Sequence, residues 1–315
     1  MMDLYTPVVT PHLPPLAYSD RLVCLGSCFA DRVGGLFRRY AFQAEVNTHG
    51  VLFNPISISK TIARAIVSPD TPCASLQCQE GLWVSTDYHS ALAASSKQEA
   101  LQKIATANQT LREAIFRAQW LVVTFGTAWV YYEQKTERIV TNCHHFPADS
   151  FERKLLSLEQ LVEEGGRLIE VLHSLNPQLK VLFTVSPVRH LRDGIMDNSV
   201  SKATLLLAVQ ALTQGVKDTY YFPSYELMID ELRDYRFYDA DMLQPNQTAL
   251  DYIWDRLAQS WFAPATLSLQ KKIAAYRKMQ EHRPYNPLSE SHARFLESKN
   301  ALQIEIESEL GRSLD

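Results

Sequence analysis

Positive charge is in short supply: 31 Lys and Arg stand against 35 Asp and Glu, a net charge of −4 over 315 residues. A protein that tracks nucleic acid needs a basic face or stripe, so this balance argues against a nucleic-acid partner. Long apolar runs are also missing, and none approaches the roughly 20 residues that cross a bilayer. The opening MMDLYTPVVTPHLPP has no basic stretch leading into an apolar one, as a secretory leader would. The expectation is therefore a cytoplasmic protein with no membrane partner. Glycine (11) and proline (15) are too sparse for a fibrous or linker-rich chain. The five cysteines, Cys24, Cys28, Cys73, Cys78 and Cys143, are odd in number and irregular in spacing, which fits reduced thiols better than a disulfide framework.

What the chain does have is the 46% apolar content of a folded protein, arranged in short blocks. Arg21 to Leu25, Trp120 to Phe125 (WLVVTF) and Lys180 to Val185 (KVLFTV) read as buried strands, with Phe42 to Val46 and Thr219 to Phe222 as two more. Helical periodicity fills the intervals: Cys28 to Tyr40, Pro55 to Ile66, Lys97 to Arg117, Leu158 to Leu175, Ser201 to Thr213 and Gln247 to Trp261. VYYEQKTERIV reads as a hairpin. Apolar strands alternating with helices imply a parallel sheet covered on both faces, a three-layer α/β fold. Residues 1–265 form the expected main domain, and the charged, helical-period stretch 266–315 a C-terminal helical extension.

Within the first strand-to-helix junction lies VCLGSCFADR, Val23 to Arg32. Ligands of open parallel sheets bind where strand ends lead into helix N-termini, and Ser27 occupies such a place. Gly26 permits a sharp turn, and the free N–H groups of a first helical turn suit a developing oxyanion. Two readings of Ser27 stand from spacing alone: a nucleophile, or an N-cap that accepts a backbone N–H. Cys28 beside it reads as a structural thiol rather than a nucleophile, because it points in another direction and adjoins Phe29.

The wording of that junction, GSCFA at Gly26 to Ala30, resembles the name-giving motif of the GSCFA family, within the SGNH (GDSL-like) hydrolase superfamily. NTHGVLFNP (Asn47 to Pro55), TFGTAWVY (Thr124 to Tyr131), TVSPVRHLRDG (Thr184 to Gly194) and FPSYELMIDELRDYRFYDADMLQP (Phe222 to Pro245) are similar to further blocks of the same family, in order, over most of residues 20–262. The resemblance implies a flavodoxin-like α/β/α sandwich and a nucleophilic Ser27. It also implies an oxyanion hole from the Ser27 N–H, Gly50 and the Gly126 block. Two departures stand out. Ala128 replaces the expected asparagine of Gly-x-Asn, leaving Asn54 or Asn47 as substitute amide donors. Gln244 replaces the histidine of Asp-x-x-His at Asp241 to Gln244, and an amide has no basic lone pair with which to take the serine proton. Asp241 keeps the acid position of that motif, and Gln244 retains the capacity to hydrogen-bond Ser27.

His190, after the KVLFTV strand, and His49, beside Gly50, are the alternative bases; either also reads as an ordinary loop histidine. Arg189 and Arg192 flank His190 and suit a carboxylate or a sugar-linked acid, or a surface pairing with Asp193. Trp129, Tyr131, Tyr132, Tyr235, Phe237 and Tyr238 suit sugar stacking or plain burial. Cys143-His144-His145 lacks metal-ligand spacing, so no metal is expected, and no cofactor either, since G-x-G-x-x-G and the Walker-type loop are both missing. The functional expectation is an ester hydrolase acting on a small acyl or carbohydrate ester. Its competitor is an impaired hydrolase fold that binds such a ligand without turning it over. Nothing in the sequence assigns an oligomeric state.

Overall fold

A computed structural model describes residues 6–67 and 75–314, with the backbone alone for Asp193; Cys73 and the first five residues lie outside the described part. In chain order the elements are β1 (Arg21–Gly26), α1 (Cys28–Arg39), β2 (Gln43–Val46), α2 (Pro55–Val67), β3 (Leu76–Gln79), β4 (Leu82–Ser85), α3 (Lys97–Arg117) and β5 (Trp120–Phe125). They continue as β6 (Trp129–Glu133), β7 (Arg138–Val140), β8 (Phe151–Leu155), α4 (Leu158–Leu175), β9 (Lys180–Val185), α5 (Ile195–Thr213) and β10 (Thr219–Tyr221). The short α6 (Ser224–Glu226), α7 (Gln247–Trp261), α8 (Pro264–Glu281) and α9 (Glu290–Leu310) complete the chain.

The central sheet runs β10-β9-β5-β1-β2, and every pairing within it is parallel. The period-2 geometry of a strand sends alternate residues to opposite faces, and the two cores follow that rule. Val23, Leu25, Leu121, Val123, Val181 and Phe183 face α2, α3, α4 and α5, through Ile58, Ile62, Leu111, Ile115, Leu172 and Leu205. Leu22, Cys24, Trp120, Val122 and Leu182 face α1 and α7, through Phe29, Phe37, Ile253, Trp254 and Trp261. The result is a three-layer α/β/α sandwich. Continuous apolar strands arise because both faces are covered.

Numbered by its own members, the sheet has the flavodoxin-like order 2-1-3-4-5, which reverses direction between β1 and β5. The crevice outside the carboxyl ends of those two strands is the ligand site of such sheets. Two small antiparallel additions flank it: the β3-β4 hairpin, and a three-stranded β7-β6-β8 sheet inserted between β5 and α4. The C-terminal α8 and α9 pack through Leu269, Ile273, Tyr276 and Ile306 onto Ala41, with Tyr18 and Tyr40 at the edge. No helix among the described residues is long and apolar enough to cross a membrane.

Candidate functional site

The turn carrying Ser27 is built from its neighbours. Gly26 has φ +138°, and a Cβ there would stand 2.1 Å from the Thr124 carbonyl oxygen, so no side chain fits. The Gly26 N–H donates to Asn47 Oδ1 (2.8 Å), and Asn47 Nδ2 donates to Asp31 Oδ1 (2.6 Å). Asn47 thus ties the turn to α1 through both ends of its amide. Ser27 has N-cap backbone angles, yet its side chain makes no capping bond. Its hydroxyl is fully buried and has no hydrogen-bond partner among the described residues. The capping reading therefore fails, and a buried hydroxyl without a partner is costly unless something else uses it.

Close by is His190, whose Nε2 is likewise buried and without a partner among the described residues. Gly126, after β5, adjoins both: a Cβ built there would be 3.2 Å from Ser27 Cβ and 3.5 Å from His190 Nε2. The carboxyl ends of β1, β5 and β9 thus deliver a serine, a glycine and a histidine to one spot. His190 is held by its own backbone N–H, which donates to Asn198 Oδ1 (2.9 Å), and by edge-on packing against Phe53 (5.7 Å between rings). Burial, with the Lys202 charge second, pushes its pKa down to about 4, so the ring is neutral near pH 7. Lys202, fully buried, donates from Nζ to the Gly126 (2.6 Å) and Ser186 (2.7 Å) carbonyl oxygens and so ties the ends of β5 and β9 together. Burial pushes its ammonium down to about 7.

Above this spot a cavity of about 320 Å³ opens. Phe53, Asn54, Thr127 and His190 form its inner end, and Trp129, Tyr131 and Arg153 of the inserted β6-β8 sheet form one wall. Ser27 does not reach the wall. Asn54 caps α2 by accepting the Ser57 N–H at Oδ1 (2.8 Å), which orients its amide and leaves Nδ2 for a ligand. The position of Ala128 explains its identity: it is fully buried in the core and its N–H donates to Ser201 Oγ (2.7 Å), so an asparagine amide there would be turned away from Ser27.

Several sequence expectations are corrected. Gln244 does not hydrogen-bond Ser27. The exposed Asp241 carboxylate accepts the Leu243 (2.8 Å) and Gln244 (3.0 Å) N–H groups, which hold it below the usual carboxylate range and close its own loop. It is not turned toward a histidine. The Gly50 N–H donates to the Asn47 carbonyl (2.7 Å) and the Ser27 N–H to the Thr124 carbonyl (3.1 Å), so neither is a ready oxyanion donor. Gly50 owes its identity to a φ of +80° and to His89, whose Nδ1 would lie 2.3 Å from an added Cβ. His49 has both ring nitrogens engaged: its Nε2 bonds Asn108 Oδ1 (2.8 Å), its Nδ1 bonds Thr48 (3.0 Å), and it is buried. Burial raises the Cys28 thiol pKa despite nearby backbone N–H groups. His144 is engaged with the Ser85 carbonyl (2.8 Å), and no metal-holding cluster occurs among the described residues. Sequence reasoning missed Lys202 and Asn198; a lysine amid the apolar residues of α5 was the available signal for the first.

A parallel sheet covered on both faces, with Ser27, Gly126 and His190 brought together at its switch point, defines the class: a three-layer α/β protein. A family model described as GSCFA family matches residues 21–257, and the chain belongs to that family. No curated protein and no solved structure matches the chain.

Proposed function

We propose that this protein is an SGNH-type serine hydrolase that cleaves a small acyl or carbohydrate ester, with Ser27 as nucleophile and His190 as general base. The observation that carries the reading is the pair of buried, unpartnered atoms, Ser27 Oγ and His190 Nε2, both beside Gly126. A buried polar atom without a partner is rare unless function requires it. In the reaction, Ser27 Oγ attacks the ester carbonyl carbon as its proton passes to His190 Nε2. Collapse of the tetrahedral intermediate expels the alcohol, which takes that proton, and leaves an acyl-Ser27. Water then attacks the acyl carbon, losing a proton to His190, and the acid departs as Ser27 recovers its hydrogen. Asn54 Nδ2 is the side-chain donor available to the oxyanion. Ser27 becomes accessible from the cavity once the Phe53 or His190 ring turns aside. A cytoplasmic setting, supported by the odd, irregular cysteines, belongs to the same proposal.

The second reading, a ligand-binding protein on a hydrolase fold, is favoured by one observation: the Ser27 and Gly50 N–H groups are both engaged with carbonyls. Labelling with a fluorophosphonate, followed by mass-spectrometric mapping, separates the two. The hydrolase reading requires modification at Ser27 in the folded protein, lost on prior denaturation and slowed by about 10²-fold or more in His190→Ala. Absence of labelling with both a large and a small probe favours the binding protein.

A further inference from the structure

The first half of α5 is built inside out. A helix on the surface of a folded domain turns its apolar stripe to the core and its polar side to water. Over residues 195–204 the buried side chains are instead Asn198, Ser201 and Lys202, bonded to the His190 N–H, the Ala128 N–H and the Gly126 and Ser186 carbonyls. Ile195 (62% exposed), Met196 (83%), Val200 (49%) and Leu207 (51%) lie outside, with Ala203 exposed between the last two. The helix carries two charged residues, the half-buried Asp197 and the buried Lys202, so none of its exposed positions bears a charge. Each buried polar group has an internal partner that explains it. Nothing inside the fold explains the exposed apolar row, and rows of that kind mark interaction surfaces.

We propose that this face of α5 pairs with the same face of a second copy of the chain, the two helices running antiparallel about a two-fold axis. Met196, Val200, Ala203 and Leu207 follow one another at intervals of four, three and four, the spacing of a seam between two helices. That order of intervals is the same when reversed, so two antiparallel copies come into register. Met196 then meets Leu207 of the second copy and Val200 meets its Ala203, each pair occurring twice as a two-fold contact requires. The lack of charge suits a second copy in particular. Two chains of net charge −4 repel each other, and a neutral face is where they approach at least cost. An anionic lipid surface would instead call for Lys or Arg beside the stripe, and α5 exposes neither. Four layers make a small interface, at the low end of the specific range, so a dimer of micromolar affinity is expected. The inference does not depend on the hydrolase reading, although the paired helix is the one that holds His190 and Gly126 in place.

Sedimentation equilibrium of the full chain should show monomer and dimer in exchange, with a dissociation constant on the order of 1–50 µM. Met196→Glu and Leu207→Lys, each at an exposed position and of the sign that suits its end of the helix, should each weaken the dimer about 10²-fold, because the interface takes the new charge twice. The double variant sets Glu against Lys at both ends of the seam. It should recover affinity to within about tenfold of wild type and lose it again as salt rises, which the wild-type dimer should not. Ala203→Glu repeats the single-variant test at the central layers, and circular dichroism with thermal unfolding on each sample checks that the fold is intact. A wild-type chain still monomeric at about 200 µM, a dimer indifferent to all three single substitutions, or a double variant no tighter than the single ones overturns the proposal.

Discussion

Replacing Gly126 by alanine tests the Ser27–His190 arrangement with a single methyl group. The added Cβ would sit 3.0 Å from the Phe53 carbonyl oxygen, 3.2 Å from Ser27 Cβ and 3.5 Å from His190 Nε2. The first two contacts are short enough to oblige a neighbour to yield by a few tenths of an ångström. The Phe53 oxygen is fixed by two N–H donors, from Gly126 (2.8 Å) and Thr127 (2.9 Å). Ser27 is fixed by its N–H bond to Thr124 and by the Asn47 clamp on Gly26. His190 Nε2, at 3.5 Å, is in ordinary contact and need not move, so the strain falls on the Ser27 side of the pair. The fold should therefore survive at a cost of about 1–2 kcal/mol, a fall in Tm of a few degrees, while the Ser27 side chain is pushed off line. Misplacement on the 1 Å scale costs about 10²-fold in rate. The assay is the second-order rate of fluorophosphonate labelling at Ser27, with thermal unfolding and circular dichroism on the same sample. A labelling rate within about threefold of wild type in a folded variant would refute the idea that serine and histidine work across this glycine.

Other outcomes follow from the same structure. Phe53→Ala, which removes the ring covering His190 but none of the carbonyl bonds, should speed labelling severalfold; slower labelling counts against the gated path. Gly26→Ala drives a Cβ into the Thr124 backbone at 2.1 Å in a left-handed backbone region, and should cost more than about 3 kcal/mol, read as insoluble protein or a sharply lower urea midpoint. Ester hydrolysis, with His190 held at about 4, should stay level from pH 8 to 5 and fall only as pH approaches 4; a midpoint near 6.5 would contradict the buried base. His49 is held at about 4 as well, so between pH 6.5 and 4 the unfolded chain takes up two protons that the native one refuses. Stability should then be lost as pH falls through that window, at roughly 1.4 kcal/mol per pH unit for each histidine, measured by urea unfolding. Lys202→Met leaves the Gly126 and Ser186 carbonyls without their donor and should destabilise by about 2–4 kcal/mol; an unchanged midpoint would show that the clamp contributes nothing.

Much of this architecture was legible in the residues. The ranges of α3, β5, α4, β9 and α7 follow directly from apolar periodicity, because burial of one helical stripe or both strand faces imposes that pattern locally. The extra turns of α5, before Ser201, and the edge strand β8 were not legible. Ile195 and Met196 are exposed at the start of α5, and β8 pairs only at one edge of a small sheet, so neither carries a strong burial signal. Gly26 was readable as a turn residue before Ser27, since only glycine tolerates the φ found there. The engagement of Gly50 was not, because nothing in NTHGVLFNP announces that its N–H turns back onto Asn47.

The sequence by itself determined the three-layer α/β class, the place of Ser27 at the end of the first strand and the family resemblance. Those are properties of local composition and order along the chain. Only the tertiary structure decided which groups meet. Strand order brings the ends of β1, β5 and β9 together, so His190 faces Ser27 across 163 positions of chain while Asp241 closes its own loop. It likewise decided that Arg153, from an insertion after β5, shares a cavity with Arg189 and Arg192. Convergence of this kind depends on how strands pair and on where each N–H and hydroxyl finds its partner. Both are long-range outcomes of packing, and no periodicity in the chain encodes them one residue at a time.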